Sequence, residues 1–297
     1  MANNKWLQIA AILLVAGTIF FTSLGKARLW DRDEPRNAGC AVEMMERGDL
    51  VVPMFNDELR HQKPVLLYWL MMLAYSTFGV NEFAARFWSA LLAIGTVLTT
   101  YGIAKRLFDA RIALLAALAL SSNIMFCVAA RAATPDSTLI FFSTLGIYFY
   151  VIGTFAQRKD QSASPSLKQN GHWFPQNIWY VVAMNVSFAL GVLTKGPIGL
   201  IVPTAIIGMF LLLQRLPDAV DEASSVESLE SQNGNMGRLA RLGIWLAQLL
   251  NPVHFLKTCW YMRPLTAIGI VLLIAAPWYI IRRLANRWQI HPVVFPE

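Results

Sequence analysis

Long apolar runs separated by short polar connectors dominate this chain. They fall at residues 6–24, 84–104, 112–132, 137–156, 177–194, 197–214 and 265–281, each near the roughly 20 residues a helix needs to cross a bilayer. None shows the alternation of barrel strands, and lipid admits only helices and closed barrels as spanning elements. The pattern predicts an all-α polytopic membrane protein with about seven transmembrane helices. The first run follows Lys5 and is longer than the apolar core of a secretory signal, so it reads as an uncleaved helix. No internal repeat is visible.

Two stretches break the rhythm. Residues 25–63 form a polar loop, within which 35–49 reads as an amphipathic helix. Ala41, Met44 and Met45 share one face there, with Glu43, Glu46 and Arg47 elsewhere. Pro35 suits its first turn and Gly48-Asp49 its end. The next apolar run, 64–80, is interrupted by Ser76-Thr77 and closed by Gly79. It is short for a crossing and reads as an interfacial or re-entrant helix, with a short true crossing as the alternative.

The connectors then fall into two groups. If 64–80 doubles back, the 25–83 region, the 131–136 turn, the 193–197 turn and the C-terminal tail share one side. Connectors 105–111, 157–176 (with Arg158, Lys159 and Lys168) and 215–264 share the other. The short connectors of the second group are basic, which marks them as cytoplasmic. The chain-wide Lys/Arg tally is nearly even, because the 25–63 loop is itself rich in basic residues. Within 215–264, the centre at 218–237 is rich in Ser, Glu, Asn and Gly and is expected to be disordered. Residues 238–250 read as a basic helix on the membrane surface. The whole chain, 1–297, is expected to form a single transmembrane domain.

Composition agrees: of 297 residues, 56% are hydrophobic and 14% charged, against roughly 25% charged in soluble domains. The net charge of +7 is spread over connectors, which suits topology and lipid phosphates and gives no nucleic-acid face. Cys40, Cys127 and Cys259 lie far apart, as do the four histidines. Neither a disulfide framework nor a thiolate metal site is indicated.

The first loop carries Asp31-Arg32-Asp33-Glu34-Pro35-Arg36 directly after a membrane span. Adjacent carboxylates there need water, a cation or a substrate as partner; an ordinary solvated loop is the competing reading. The sidedness argument adds Lys63, Arg131, Asp136 and Lys195 from three further segments. Lys195, in Thr194-Lys195-Gly196-Pro197, also reads as a snorkelling turn residue. Four loops converging with acids and bases suit transfer of a group from a lipid-linked phosphate. Lys and Arg would neutralise the departing phosphate, and a carboxylate would take a proton from the nucleophile. No Gly-rich strand–helix loop of a nucleotide site is present.

Several motifs occur in order along nearly the whole chain. They are Asp33-Glu34-Pro35-Arg36-Asn37-Ala38, Met45-Glu46-Arg47-Gly48-Asp49-Leu50-Val51-Val52-Pro53 and Gln62-Lys63-Pro64-Val65-Leu66-Leu67-Tyr68-Trp69. Phe83-Ala84-Ala85-Arg86-Phe87, Ala130-Arg131 with Pro135-Asp136, Thr194-Lys195-Gly196-Pro197 and Pro277-Trp278-Tyr279 follow. The set resembles the bacterial lipid A aminoarabinose transferases and the protein O-mannosyltransferase-like glycosyltransferases.

That resemblance implies a GT-C architecture in the bacterial inner membrane, with juxtamembrane helices over an extracytoplasmic cavity. It implies a polyprenyl-phosphate-sugar donor, inversion at the anomeric carbon, and lipid A, protein or a glycan as acceptor. By position it makes Asp33 the catalytic carboxylate with Glu34 beside it, and Asp136 the second acidic residue. Arg36, Lys63, Arg131 and Lys195 become donor-phosphate contacts. Where the aminoarabinose transferases carry Glu-Lys-Pro, this chain has Gln62-Lys63-Pro64, so no metal ligand is assigned and a divalent metal stays open. Relatives continue beyond Val294-Phe295-Pro296-Glu297, so a large C-terminal part is expected to be missing. Two other readings stand beside this one: a membrane transporter, which predicts charges in mid-span, and a truncated, non-catalytic membrane subunit.

Overall fold

The computed structural model describes residues 5–30, 32–56, 58–60, 63–155, 173–214 and 252–289. The expected disordered centre at 218–237 and surface helix at 238–250 lie outside the described residues, as does most of the 157–176 connector. Helix α1 (Lys5–Phe21) carries the first apolar run and α2 (Asp33–Arg47) the amphipathic one. A two-residue antiparallel hairpin follows, β1 (Met54–Phe55) with β2 (Glu58–Leu59), pairing Met54 with Leu59. Then come α3 (Leu66–Phe78), α4 (Glu82–Leu107), α5 (Ala110–Ser122), α6 (Ile124–Arg131) and α7 (Pro135–Thr154). The series continues with α8 (Ile178–Lys195), α9 (Ile198–Gln214), α10 (Pro252–Tyr261) and α11 (Pro264–Gln289).

All seven predicted runs are helical. Among the described residues, α4, α7, α8 and the 22-residue Pro264–Ala285 stretch of α11 are long and apolar enough to cross a membrane. A fifth crossing results if α5 and α6, bent by 65°, form one span. Helices α1, α3 and α9 are apolar but shorter. The α5–α6 break was not expected from the 112–132 run, and its cause is local. Ser121 and Ser122 bond back to the carbonyls of Ala117 and Leu118, ending α5. Asn123 then caps α6 by accepting from the Phe126 N–H.

Helix α2 begins two residues earlier than the pattern predicted. Asp33 and Glu34 therefore occupy its first turn, at the positive end of the helix dipole. It stops at Gly48, whose φ of 62° lets its N–H and that of Asp49 reach back to Met45 and Met44 carbonyls. Helix α3 has 13 residues; at 1.5 Å per residue it spans about 20 Å, short of the roughly 30 Å hydrocarbon core.

Three buried clusters hold the bundle. One joins α2, α3, the start of α4, the end of α8 and the middle of α11 around Met44, Tyr68, Met71 and Trp278. A second packs α1 against α4, α5 and α6 around Ile12, Phe20 and Val97. The third joins α7, α8 and α9 around Tyr150, Phe188 and Ile207. At the α8–α9 turn Gly191 and Gly199 meet backbone to backbone, a contact that leaves no room for a Cβ.

Candidate active site

The first cluster covers the polar end of the bundle and positions its charged groups. At the start of α2, Asp33 accepts a 2.8 Å hydrogen bond from Lys63, which enters from the segment before α3. Asp33 is half exposed, while Lys63 is largely buried. The Lys63 bond outweighs partial burial and holds the Asp33 carboxyl below its ordinary range, with Arg60 and Arg36 adding their charge. Asp33 is therefore an ionised carboxylate at neutral pH, facing an ammonium that another anion could share.

Glu34 turns elsewhere. It is 5% exposed and receives two bonds from Arg86 of α4, at 2.9 and 2.7 Å. The backbone N–H groups of Trp30 and Ala133 complete its shell at 2.6 and 2.7 Å. Arg86 spends its other donors on the carbonyls of Leu24, Ala27 and Arg28. Burial pushes the Glu34 carboxyl up, but these donors overcome it and hold the group below the usual range. Adjacency in sequence pairs Glu34 with Asp33; the fold pairs it with Arg86.

One turn along α2, Asn37 donates to the Ala133 carbonyl at 2.9 Å and accepts from Arg60 at 2.9 Å. Arg60 is 7% exposed, and among the described residues its Nε and Nη1 have no hydrogen-bond partner. The Tyr68 hydroxyl is fully buried, beside the Cys40 thiol and within electrostatic reach of Arg60. Arg282 of α11 reaches the same place, donating to the Arg60 carbonyl at 3.1 Å. Among the described residues this guanidinium makes no ion pair, only feeling the Asp33 charge. Buried N–H groups left open are costly, so the pocket suits an anion. Burial raises the nearby Cys40 thiol to about 11, which keeps it protonated.

The second acid–base pair belongs to the same end. Asp136, in the first turn of α7, accepts a hydrogen bond from Lys195 in the last turn of α8. Both side chains are more than a third exposed. The Ala133 bonds to Glu34 and Asn37 tie this turn to α2. Asp33, Lys63, Arg36, Asp136 and Lys195 thus gather at one end of the bundle. Arg131 is committed differently: it donates to the Ile19 and Thr22 carbonyls at 2.6 and 2.8 Å, tying down the end of α1.

Sequence reasoning missed Arg60, Asn37 and Arg86 as site groups. Arg86 carried a usable signal, since an arginine early in a membrane span demands partners. Arg60 carried none, because a loop arginine reads as solvated. Gln62 lies outside the described residues. Among those described, no group of three or more His, Cys, Asp or Glu is placed to hold a metal ion.

Comparison with known proteins matches residues 28–281 to a family described as Dolichyl-phosphate-mannose-protein mannosyltransferase. An uncharacterised protein of Aquifex aeolicus is 36% identical over 69% of this chain and 42% of its own length. The Aeromonas hydrophila undecaprenyl phosphate-alpha-4-amino-4-deoxy-L-arabinose arabinosyl transferase is 29% identical, over 72% of this chain and 36% of that protein. The crystal structure of ArnT from Cupriavidus metallidurans bound to undecaprenyl phosphate shares the fold. Its TM-score is 0.62 at 24% identity, over 96% of this chain and 43% of that one. The chain spans well under half the length of each of these relatives.

Proposed function

This chain belongs to the Dolichyl-phosphate-mannose-protein mannosyltransferase family, and we propose that it transfers a sugar from a polyprenyl-phosphate donor to an extracytoplasmic acceptor. The carrying observation is the meeting of Asp33, Lys63 and a buried Arg60, whose Nε and Nη1 have no hydrogen-bond partner among the described residues, at one end of a multi-span helical bundle. The acceptor is lipid A, a protein or a glycan, and the setting is the bacterial inner membrane with the site facing outward.

In this reading Lys63, Arg60 and Arg36 hold the donor phosphate, and Lys195 completes the cationic rim. The acceptor oxygen attacks the anomeric carbon on the face opposite the phosphate. As that bond forms, the carbon–oxygen bond to phosphate breaks, and polyprenyl phosphate leaves with the electron pair. The acceptor proton passes to Asp33. The fixed cations meet the charge that grows on the leaving phosphate. Asp136, held by Lys195, orients the acceptor. Glu34 acts through the backbone as a positioning residue for α2, and Arg131 anchors its turn.

The test uses the purified chain in liposomes with undecaprenyl-phosphate-linked mannose or aminoarabinose, labelled in the sugar. Asp33→Asn is expected to lose transfer by at least about 100-fold while still binding undecaprenyl phosphate. Full transfer by that variant would remove Asp33 from the chemistry. Failure of the unmodified chain to bind undecaprenyl phosphate would overturn the donor assignment.

A further inference from the structure

At the far end of the bundle lies a mainly apolar cavity of about 410 Å³ with basic residues in its lining, between α1, α4 and α7. Its rim carries Lys5, Lys105 and Arg106, and among the described residues no carboxylate lines it. Helix α4 fixes the separation from the first site. Arg86 stands near one end and Lys105-Arg106 some 20 residues on, which at 1.5 Å per residue is about 30 Å, the thickness of the hydrocarbon core. The two sites therefore face opposite membrane surfaces.

Two of the three rim cations, Lys105 and Arg106, are held in place by hydrogen bonds. Gln8 donates to the Ala110 carbonyl at 3.3 Å and accepts from the Tyr101 hydroxyl at 2.7 Å. Lys105 in turn donates to that hydroxyl at 3.2 Å, its ammonium 5.3 Å from the ring centre. Arg106 is anchored through Nε and Nη2 to the Phe155 and Ile152 carbonyls, at 2.7 and 3.1 Å. Below the rim the wall is apolar. Ile9 and Leu98 line it, and the Tyr148 ring lies so close over Gly102 that a Cβ there would meet it at 2.7 Å.

We propose that this cavity binds the phosphate of an anionic membrane phospholipid, with an acyl chain running along Ile9 and Leu98 toward the bilayer core. Among the described residues these three cations meet no carboxylate in the cavity, and such a site takes an anion. The apolar wall leading into the spans selects a lipid over free phosphate. The ligand is distinct from the transferred substrate, because it sits at the other membrane surface.

The test measures binding of phosphatidylglycerol, phosphatidylcholine and inorganic phosphate to the detergent-purified chain, by native mass spectrometry and thermal shift. Phosphatidylglycerol is expected to bind and to raise the melting temperature, with little effect from the other two. Each interfacial cation is worth roughly a fivefold change in affinity, so Lys5→Gln with Lys105→Gln should weaken binding by roughly 25-fold. Lys63→Gln, at the opposite end, should leave it unchanged. Equal binding of phosphatidylcholine, an undiminished response in the double variant, or loss in Lys63→Gln instead would each overturn the proposal. A matching shift with inorganic phosphate would overturn the lipid and leave a free-anion site.

Discussion

Glu34 and Arg86, 52 residues apart in sequence, join through two hydrogen bonds of 2.9 and 2.7 Å with both side chains only 6% exposed. The pair ties the start of α2 to α4, to the chain leaving α1 and to the turn before α7. Removing one partner of a buried pair strands the other charge, at a cost of about 3–5 kcal/mol. Glu34→Ala is expected to lower stability by that amount and to weaken transfer only in proportion to folded protein. Denaturation in detergent, beside activity per folded molecule, checks this; a catalytic Glu34 would lose activity with little loss of stability.

The same carboxylate sets an acid limit. Its folded pKa lies below the ordinary 4.5, so the folded state favours the ionised form. That stabilisation is complete above pH 4.5 and is lost as pH falls through the lower, folded value. Melting temperature should therefore decline below about pH 4.5, and in Glu34→Gln this part of the decline should vanish. A variant with an unaltered acid profile would assign the effect to other carboxylates.

Arg60 offers a sharper separation of function from stability. Its guanidinium makes no ion pair among the described residues, so Arg60→Met removes a buried charge but leaves the Asn37 Oδ1 without its donor. The two effects oppose, and the net loss of stability should stay under about 2 kcal/mol. A charge-assisted bond to phosphate is worth about 1.5–3 kcal/mol, so undecaprenyl phosphate should bind roughly 10- to 100-fold more weakly. Isothermal titration beside thermal melting reads both. A destabilised variant with unchanged binding would make Arg60 a structural residue.

The α8–α9 turn depends on two glycines. A Cβ on Gly199 would collide with the Gly191 backbone, which has no flexible side chain to move aside. Overpacking of this kind costs about 3 kcal/mol. Gly199→Ala should lower the melting temperature and, by displacing Lys195 from Asp136, reduce transfer as well. Gly48→Ala, with open space around it and only a positive φ to strain it, should cost less.

Much of this molecule was readable because lipid leaves little choice: a crossing helix must be apolar along its length, and the seven apolar runs are helical, the 112–132 run as two helices. Among the described residues four are long enough to cross, or five with the bent α5–α6 pair, where the pattern predicted about seven. Grouping the connectors by parity also brought Asp33 with Lys63, and Asp136 with Lys195, to one end. What stayed hidden depended on partners distant in sequence. Nothing local tells that Glu34 reaches Arg86, or that Arg131 serves the carbonyls ending α1 rather than the Asp33 site. Arg60 was invisible because burial of a loop arginine follows from how α2, the hairpin and α11 meet. The α5–α6 bend was written in Ser121-Ser122-Asn123, a polar trio that a hydropathy window averages away.

Lys195 and Asp136 separate exposure from function. Their hydrogen bond joins the last turn of α8 to the first turn of α7, yet both side chains are more than a third exposed. Exposed ion pairs contribute about 0–1 kcal/mol, so Lys195→Ala, Asp136→Ala and the double variant should unfold close to the unmodified chain. Transfer should behave otherwise. If Lys195 contacts the donor phosphate and Asp136 the acceptor, each single variant lowers the rate, the first through donor KM and the second through kcat. The losses should exceed anything the stability changes explain. A double-mutant cycle with additive, negligible effects on both donor KM and kcat would reduce the pair to a surface contact between two helix ends.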